Sequence, residues 1–274
     1  MTYAELRHLI ATRLGAFLDE GEARAEALRW MEEGLGQDRV GLVLRGGEPV
    51  PEAEEARVMD WLRRREQGEP WSYLLGWAQF RNRRFEVTRD TLIPRPETEM
   101  LLEAALDMGR RLGVRHATDV GTGSGILAVC LALETDWEIR ATDISRKALK
   151  VARRNADTFG AKVDFREGSL LGPVPDPVGL VVSNPPYVDP ADRPSLQREL
   201  EFEPETALYA PERGLAIATE LMREARVRFA PGFVMEIGSG QGAELRARAE
   251  AMGWRRVAVH QDFAGHDRVV MGLA

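Results

Sequence analysis

The stretch His116-Ala117-Thr118-Asp119-Val120-Gly121-Thr122-Gly123-Ser124-Gly125, followed by the apolar run Ile126 to Leu133, decides the fold of this 274-residue chain. It predicts a short strand, a tight glycine turn and a helix. Glycines at that turn permit positive φ and a close approach of backbone to a ligand. The same rhythm then repeats downstream. Glu138 to Thr142 is a second strand ending at Asp143, and Ser145 caps a helix that runs to Phe159 and stops at Gly160. Val163 to Phe165 is a third strand and Val178 to Val182 a fourth. A helix over Gly214 to Phe229, a strand over Phe233 to Ile237 and a helix over Gln241 to Met252 follow. The last strands are Arg256 to His260 and Arg268 to Met271, with no helix between them. Strands alternating with helices imply a mostly parallel, doubly wound α/β sheet covered on both faces. The final pair reads as a hairpin, which makes one strand antiparallel.

Upstream the pattern changes. Residues 1–75 read as a small helical bundle: Leu6, Leu9, Ile10, Leu14 and Phe17-Leu18 recur at helical spacing, and Gly21 breaks the run. A second helix is expected over Ala23 to Leu35, a third after Pro51, and a short last turn after Pro70. This segment carries 10 Lys plus Arg against 15 Asp plus Glu, a net charge of −5, which suits recognition of a protein better than of DNA. Residues 76–98 form a joint. Phe80, Phe85 and Val87 flank Arg81-Asn82-Arg83-Arg84, a β-hairpin with a polar turn, and Ile93-Pro94-Arg95-Pro96-Glu97-Thr98-Glu99 is a stiff linker. The linker's polarity also suggests that it lines a site. Arg81, Arg83, Arg84, Arg89 and Arg95 make the most basic strip of the chain, either a nucleic-acid contact or a solvated hairpin edge. Residues 99–274 then form the α/β domain.

Composition narrows the possibilities. Hydrophobic residues make up 44% and charged residues 30%, enough for a real core in a soluble protein. No apolar run reaches the length of a membrane span, and Met1 to Glu20 has neither signal-peptide nor transit-peptide character. The single cysteine, Cys130, lies in an apolar helix and is expected to be buried and inert. A cytoplasmic, monomeric protein is expected. The net charge of −7 argues against a stable nucleic-acid partner. Only three asparagines, Asn82, Asn155 and Asn184, are present; that scarcity fits a thermophile, and thermal unfolding at ordinary mesophilic temperatures would dismiss the idea.

Two places carry chemistry. At the carboxyl ends of the first strands, Gly121, Thr122, Gly123, Ser124 and Gly125 form a cofactor turn. It is not the dinucleotide fingerprint, which needs its third glycine one position later. Asp143 is placed to accept from both hydroxyls of a ribose, or else to cap a helix in competition with Ser145. Ser169 and Leu170 offer backbone and an apolar surface to an adenine. Gly238-Ser239-Gly240-Gln241-Gly242 resembles a second cofactor turn but fits a structural strand-to-helix turn better. The other place is Ser183-Asn184-Pro185-Pro186-Tyr187, a rigid strand-ending turn. Its prolines fix φ and remove two donors, Asn184 adds a side-chain donor and acceptor, and Tyr187 adds a ring. Such a turn can grip a planar group bearing an NH2. No cluster with metal-ligand spacing appears, so no metal is expected.

The spacing of these elements resembles the class I S-adenosylmethionine-dependent methyltransferases. That resemblance implies a Rossmann-like seven-stranded sheet with its last strand antiparallel, and S-adenosyl-L-methionine as cofactor. Asn184-Pro185-Pro186-Tyr187 is similar to the acceptor motif shared by adenine-N6 and protein-glutamine-N5 methyltransferases. The implied catalytic residues are Asn184, Pro185 and Tyr187. The Asn184 side-chain oxygen and the Pro185 carbonyl would accept from the reacting NH2, and Tyr187 would pack on its plane. Arg95-Pro96-Glu97-Thr98-Glu99, Glu203-Pro204-Glu205-x-Ala207-Leu208 and the helical N-terminal region together resemble the HemK/PrmC family. Membership implies methylation of the Gly-Gly-Gln glutamine of bacterial peptide chain release factors, with residues 1–75 recognising that substrate. Ser169 departs from the acidic residue common in class I enzymes. The competing readings are an adenine-N6 enzyme acting on DNA or RNA, and a ribosomal-protein glutamine methyltransferase.

Overall fold

The computed structural model describes all 274 residues, which divide into two compact units, Met1–Leu75 and Gly76–Ala274. The first is helical: α1 (Tyr3–Leu14), α2 (Glu20–Arg29), a π-helical turn (Trp30–Gly34), α3 (Arg39–Arg45), α4 (Glu52–Glu66) and α5 (Trp71–Leu75). Thr2 and Glu5 form a capping box on α1, and Asp19 caps α2 by accepting from Glu22 N at 2.8 Å. That cap starts α2 ahead of Gly21, so this glycine sits inside the helix. The expected second helix ends at Arg29, because the π-helical turn brings Gly34 beneath Trp61; a Cβ on Gly34 would lie 2.6 Å from that indole. Trp30 and Trp71 stack at 4.6 Å and 8°, and Trp61 meets both edge-on at 6.1 and 5.3 Å. Helix α3 was not expected. Only Leu42 of its residues is buried, so it carries no readable apolar stripe.

The second unit opens with the hairpin β1 (Trp77–Phe80) and β2 (Arg83–Glu86). Its two central residues, Arg81 and Asn82, have φ of 49° and 56°, as a two-residue primed turn requires. Then follow α6 (Thr98–Leu112), β3 (His116–Val120), α7 (Ile126–Glu134), β4 (Glu138–Asp143), α8 (Arg146–Phe159), β5 (Val163–Glu167) and β6 (Leu180–Ser183). Short helical turns lead to α9 (Glu205–Leu208), α10 (Ala216–Val227), β7 (Gly232–Glu236), α11 (Gly242–Ala251), β8 (Arg255–Gln261) and β9 (Asp267–Leu273). The fourth expected strand starts two residues late because Gly179 takes φ 71° against the His116 carbonyl.

Seven strands form one sheet in the order β5-β4-β3-β6-β7-β9-β8. The first five pair in parallel, and β9 is antiparallel to both neighbours, β7 and β8. The expected α/β fold, with its last strand antiparallel, is the observed one. Buried side chains of α6, α7 and α8 pack on one face, and those of α10 and α11 on the other. Val120 and Ser183 are register partners at the ends of β3 and β6, where the strand order reverses. Gly121 and Asn184 therefore leave the sheet side by side, at the place where doubly wound sheets hold ligands. Cys130 is fully buried in α7, and burial pushes its thiol up to about 12. No helix is long and apolar enough to cross a membrane.

Candidate active site

One cavity in the second unit gathers most of the expected residues. Gly121, Thr122, Gly123, Ser124, Asp143, Ser169, Leu170, Asn184, Pro185 and Pro186 all line it. Pro94, Arg95 and Thr98 from the stiff linker join them, as do Pro204, Thr206 and Ala207. Gly125 stays outside the lining. With φ 85°, it starts α7 and sits where a Cβ would lie 3.0 Å from Ala152, so it serves helix packing.

The cofactor side is a rigid cradle. Gly121 and Gly123 take φ of 72° and 56°, and nothing stands within 4 Å of where their Cβ atoms would be. Asp143 ties this turn to the end of β4: Oδ2 accepts from Gly123 N at 2.9 Å and Oδ1 from Ser145 N at 2.8 Å. Each oxygen accepts one bond and keeps capacity for another, and Asp143 lines the cavity. Burial raises the Asp143 pKa, and the two backbone amides oppose that rise. Ser145 itself caps α8 by accepting from Ala148 N at 3.2 Å, which leaves Asp143 free of that duty. Leu170, with φ 47°, is held by Thr142 Oγ1 donating to its carbonyl at 2.9 Å. These features fit a ligand with a ribose, an adenine and an adjoining charged chain.

Beneath the turn lies Asp119, which the sequence reading passed over. Its Oδ2 accepts from Thr122 Oγ1 at 2.6 Å and from Ala128 N at 3.1 Å, while Oδ1 finds no donor. Burial pushes this carboxyl up to about 7 against those two hydrogen bonds, and nearby Asp143 adds to the rise. An acidic residue two positions ahead of the first glycine was its only signal.

The acceptor side is built from distant segments. Ser183 Oγ donates to the Val120 carbonyl at 2.7 Å, fixing the end of β6. Asn184 Nδ2 donates to Thr98 Oγ1 at 3.2 Å; Thr98 Oγ1 donates to Glu236 Oε2 at 2.7 Å. Tyr187 Oη donates to the other oxygen, Oε1, at 3.1 Å. Burial pushes the Glu236 carboxyl up to about 7; Thr98 and Tyr187 oppose this, Glu97 reinforces it and Arg268 opposes it. Arg95 pairs with buried Glu203, which also accepts from Ile93 N at 2.9 Å. The two segments that carried the family resemblance thus meet in space.

Tyr187 is held at two points. It does not line the cavity; it borders a neighbouring depression with Val188 and Gln241. Its hydroxyl is engaged by Glu236, and burial together with that carboxylate raises its pKa. Its carbonyl accepts from Gln241 Nε2 at 3.0 Å, and a Cβ on Gly214 would lie 1.9 Å from that same oxygen. Its hydroxyl and its carbonyl are both held in place. Gly238 to Gly242 is a structural turn: Gln241 Oε1 accepts from Gly238 N at 2.8 Å, and Nε2 also reaches the Arg213 carbonyl at 3.0 Å.

The basic strip is largely engaged by the protein's own side chains, with Arg84 and Arg89 still exposed. Arg81 pairs with Glu103 and Glu134, Arg84 stacks on Trp77 at 4.2 Å, Arg89 lies over Phe202 at 5.0 Å, and Arg95 pairs with Glu203.

A seven-stranded sheet with one antiparallel strand, a glycine cradle after β3 and an Asn-Pro-Pro-Tyr turn after the neighbouring central strand β6 define a methyltransferase. Residues 97–208 match the methyltransferase small domain, and residues 5–76 match the PrmC N-terminal domain. The release factor glutamine methyltransferase of Deinococcus radiodurans is 39% identical over 262 residues, covering 94% of this chain and 92% of its own. That of Neisseria gonorrhoeae is 42% identical over 240 residues, covering 85% and 87%. Among solved structures, the human METTL16 catalytic domain superposes with a TM-score of 0.61 at 13% identity, over 88% of this chain and 87% of that one, a likeness of fold alone. The chain belongs to the release factor glutamine methyltransferase family.

Proposed function

We propose that this chain transfers the methyl group of S-adenosylmethionine to the side-chain nitrogen, N5, of the Gly-Gly-Gln glutamine of bacterial release factors. The observation that carries the proposal is the orientation of Asn184. Its NH2 is engaged by Thr98, so its Oδ1 remains to accept from an incoming amide NH2. An amide nitrogen is a poor nucleophile because its lone pair is delocalised, so placement contributes more than proton transfer. Asn184 Oδ1 and the Pro185 carbonyl hold the two N–H bonds and set the angle of approach. Pro185 and Pro186 keep that turn from relaxing. Tyr187 clamps the turn to Glu236.

On the other side, Asp143 receives the ribose hydroxyls, Gly121 to Ser124 cradle the amino-acid part, and Ser169 with Leu170 receives the adenine. When bound, S-adenosylmethionine supplies an electrophilic methyl group on a sulfonium. Relatives that are release factor glutamine methyltransferases, matched over most of the chain, and the PrmC N-terminal domain match support the release-factor substrate. The acidic helical unit, Met1–Leu75, is assigned to substrate recognition, and the enzyme to a monomeric state. The internal pairing of the arginine strip favours a protein substrate over nucleic acid.

The test offers unmethylated release factor and duplex DNA side by side, with methyl-labelled S-adenosylmethionine, and maps the label by peptide mass spectrometry. Label on the release-factor glutamine is expected. Label on DNA would overturn the substrate assignment while leaving the cofactor site standing.

A further inference from the structure

We infer that Glu236 is a positioning residue: through Thr98 it sets which way round the Asn184 amide faces the reacting nitrogen. The inference rests on the acceptor role proposed above for Asn184. An asparagine amide is nearly symmetric in shape, and its two ends differ only in hydrogen bonding: oxygen accepts and NH2 donates. Presented the wrong way, Asn184 would aim donors at a substrate NH2 that itself has only donors to offer. Something must choose the orientation, and Thr98 by itself does not. A hydroxyl donates or accepts with equal ease and can satisfy either end of the amide.

Glu236 removes that freedom. In its ionised form, which prevails above about pH 7, Glu236 accepts only, so it takes the Thr98 hydrogen at 2.7 Å. Thr98 Oγ1 is left with lone pairs alone, and those can meet only the NH2 of Asn184, at 3.2 Å. The polarity passes from carboxylate to hydroxyl to amide, and Asn184 Oδ1 turns to the cavity. Tyr187 completes the arrangement by donating to the second carboxylate oxygen at 3.1 Å. Both oxygens are therefore engaged by hydroxyls within a site from which solvent is excluded; Glu236 and Thr98 are each 1% exposed. Buried hydrogen bonds are worth most where no water can replace them. A buried carboxylate on a strand whose other residues are apolar is costly unless it does such work.

The test uses the full chain with three variants and two independent readouts. Thr98→Val keeps the shape and removes the hydroxyl. Glu236→Gln replaces one acceptor by a donor. Thr98→Ser restores the hydroxyl. For methyl transfer to unmethylated release factor, kcat is expected to fall at least about tenfold in Thr98→Val and Glu236→Gln, roughly 1.4 kcal/mol. The KM for release factor and the Kd for S-adenosylmethionine should stay within about threefold, because the amide orientation matters most when the nitrogen attacks. Thr98→Ser should regain most of the loss seen in Thr98→Val. Combining Thr98→Val with Glu236→Gln should cost little more than either alone, since both act through one chain of bonds.

The second readout needs no activity. With only three asparagines in the chain, selective 15N-asparagine labelling gives three side-chain NH2 pairs, and Asn184→Asp identifies one of them. That pair should shift in Thr98→Val and Glu236→Gln and return in Thr98→Ser. Unchanged kcat, or an Asn184 pair that does not move, would overturn the inference. A wild-type enzyme that leaves release factor unmethylated while its Asn184 pair responds as described would instead sink the substrate reading. A thermal melt of each variant separates loss of fold from loss of orientation, and Thr98→Val decides if Glu236→Gln does not fold.

Discussion

The molecule contains two similar turns that do different work. Asp119-Val120-Gly121-Thr122-Gly123 and Glu236-Ile237-Gly238-Ser239-Gly240 each place a buried carboxylate two residues ahead of a glycine turn at a strand end. Asp119 is short and bonds its own loop and helix, through Thr122 and Ala128. Glu236 has one more methylene and reaches away from its own turn, to Thr98 and Tyr187. The first turn is left open above, with clear space at Gly121 and Gly123. In the second, Gly240 is also open, but the Gln241 side chain stands against Gly238, 3.0 Å from where its Cβ would be, and holds the Tyr187 carbonyl. One turn makes room for a ligand, and the other braces the loop that meets the substrate. A glycine pattern therefore says where the backbone is free, and the neighbouring side chains decide whether that freedom is used for binding.

The largest effect should fall on the loop the second turn braces. Asn184→Ala is expected to lower kcat by about 100-fold or more, about 2.7 kcal/mol, with cofactor affinity intact by titration calorimetry. Near-normal turnover would sink its assigned role. The first turn is probed by Asp143→Ala. Here the Kd for S-adenosylmethionine should rise about tenfold or more, with a smaller change in kcat at saturation. If affinity held while kcat collapsed, the two sides of the site would not divide as described. Gln241→Ala should be milder. Losing its bonds to Gly238, Tyr187 and Arg213 should cost about 1–3 kcal/mol of stability in urea and lower kcat severalfold, with no change in cofactor affinity.

The two carboxylates separate the turns by pH, with no loss expected in cofactor affinity. Both have folded pKa values raised to about 7, mainly by burial. For acids shifted upward, the folded state holds more protons than the unfolded one between the ordinary carboxylate range and about 7. Their combined contribution to stability is therefore greatest in acid and falls as pH rises through that window, by at most about 1.4 kcal/mol per pH unit for each group. Glu97 and Arg268 beside Glu236, and Asp143 near Asp119, share in setting the midpoints. Urea melts at pH 5 and pH 7.5 should show a smaller fall in Asp119→Asn and Glu236→Gln than in the wild type. A fall equal to the wild type's would mean that neither group titrates in this range.

Much of this was legible in the sequence, for identifiable reasons. The strand, glycine turn and helix at His116 to Leu133 is local in the chain, so periodicity and turn chemistry suffice to read it. The same holds for the Asn184 turn, whose prolines announce a rigid corner. The linker at Ile93 to Glu99 looked too polar for a mere joint, and Thr98 and Arg95 do line the cavity. What escaped were the partners. Thr98 and Glu236 are 138 residues apart, and Ile93 and Glu203 are 110 apart, so only the folded chain brings them together. Glu236 did leave a trace: a carboxylate within Phe233-Val234-Met235-Glu236-Ile237 has no outlet unless something donates to it. An aromatic after Asn-Pro-Pro suggests stacking, but the groups that hold Tyr187 in place, Glu236 and Gln241, lie 49 and 54 residues away and leave no local signal.

The tryptophan cluster has an optical consequence. Trp30 and Trp71 are stacked nearly parallel at 4.6 Å, close enough for their electronic transitions to couple, with Trp61 crossing them edge-on. All three belong to the helical unit. The tryptophans of the other unit, Trp77, Trp137 and Trp254, pack instead against Arg84, Gly109 and Phe233. A tryptophan exciton band in circular dichroism is therefore expected from one unit alone. Followed during melting beside the bulk signal, it separates the unfolding of the helical unit from that of the catalytic one without a label or a cut in the chain.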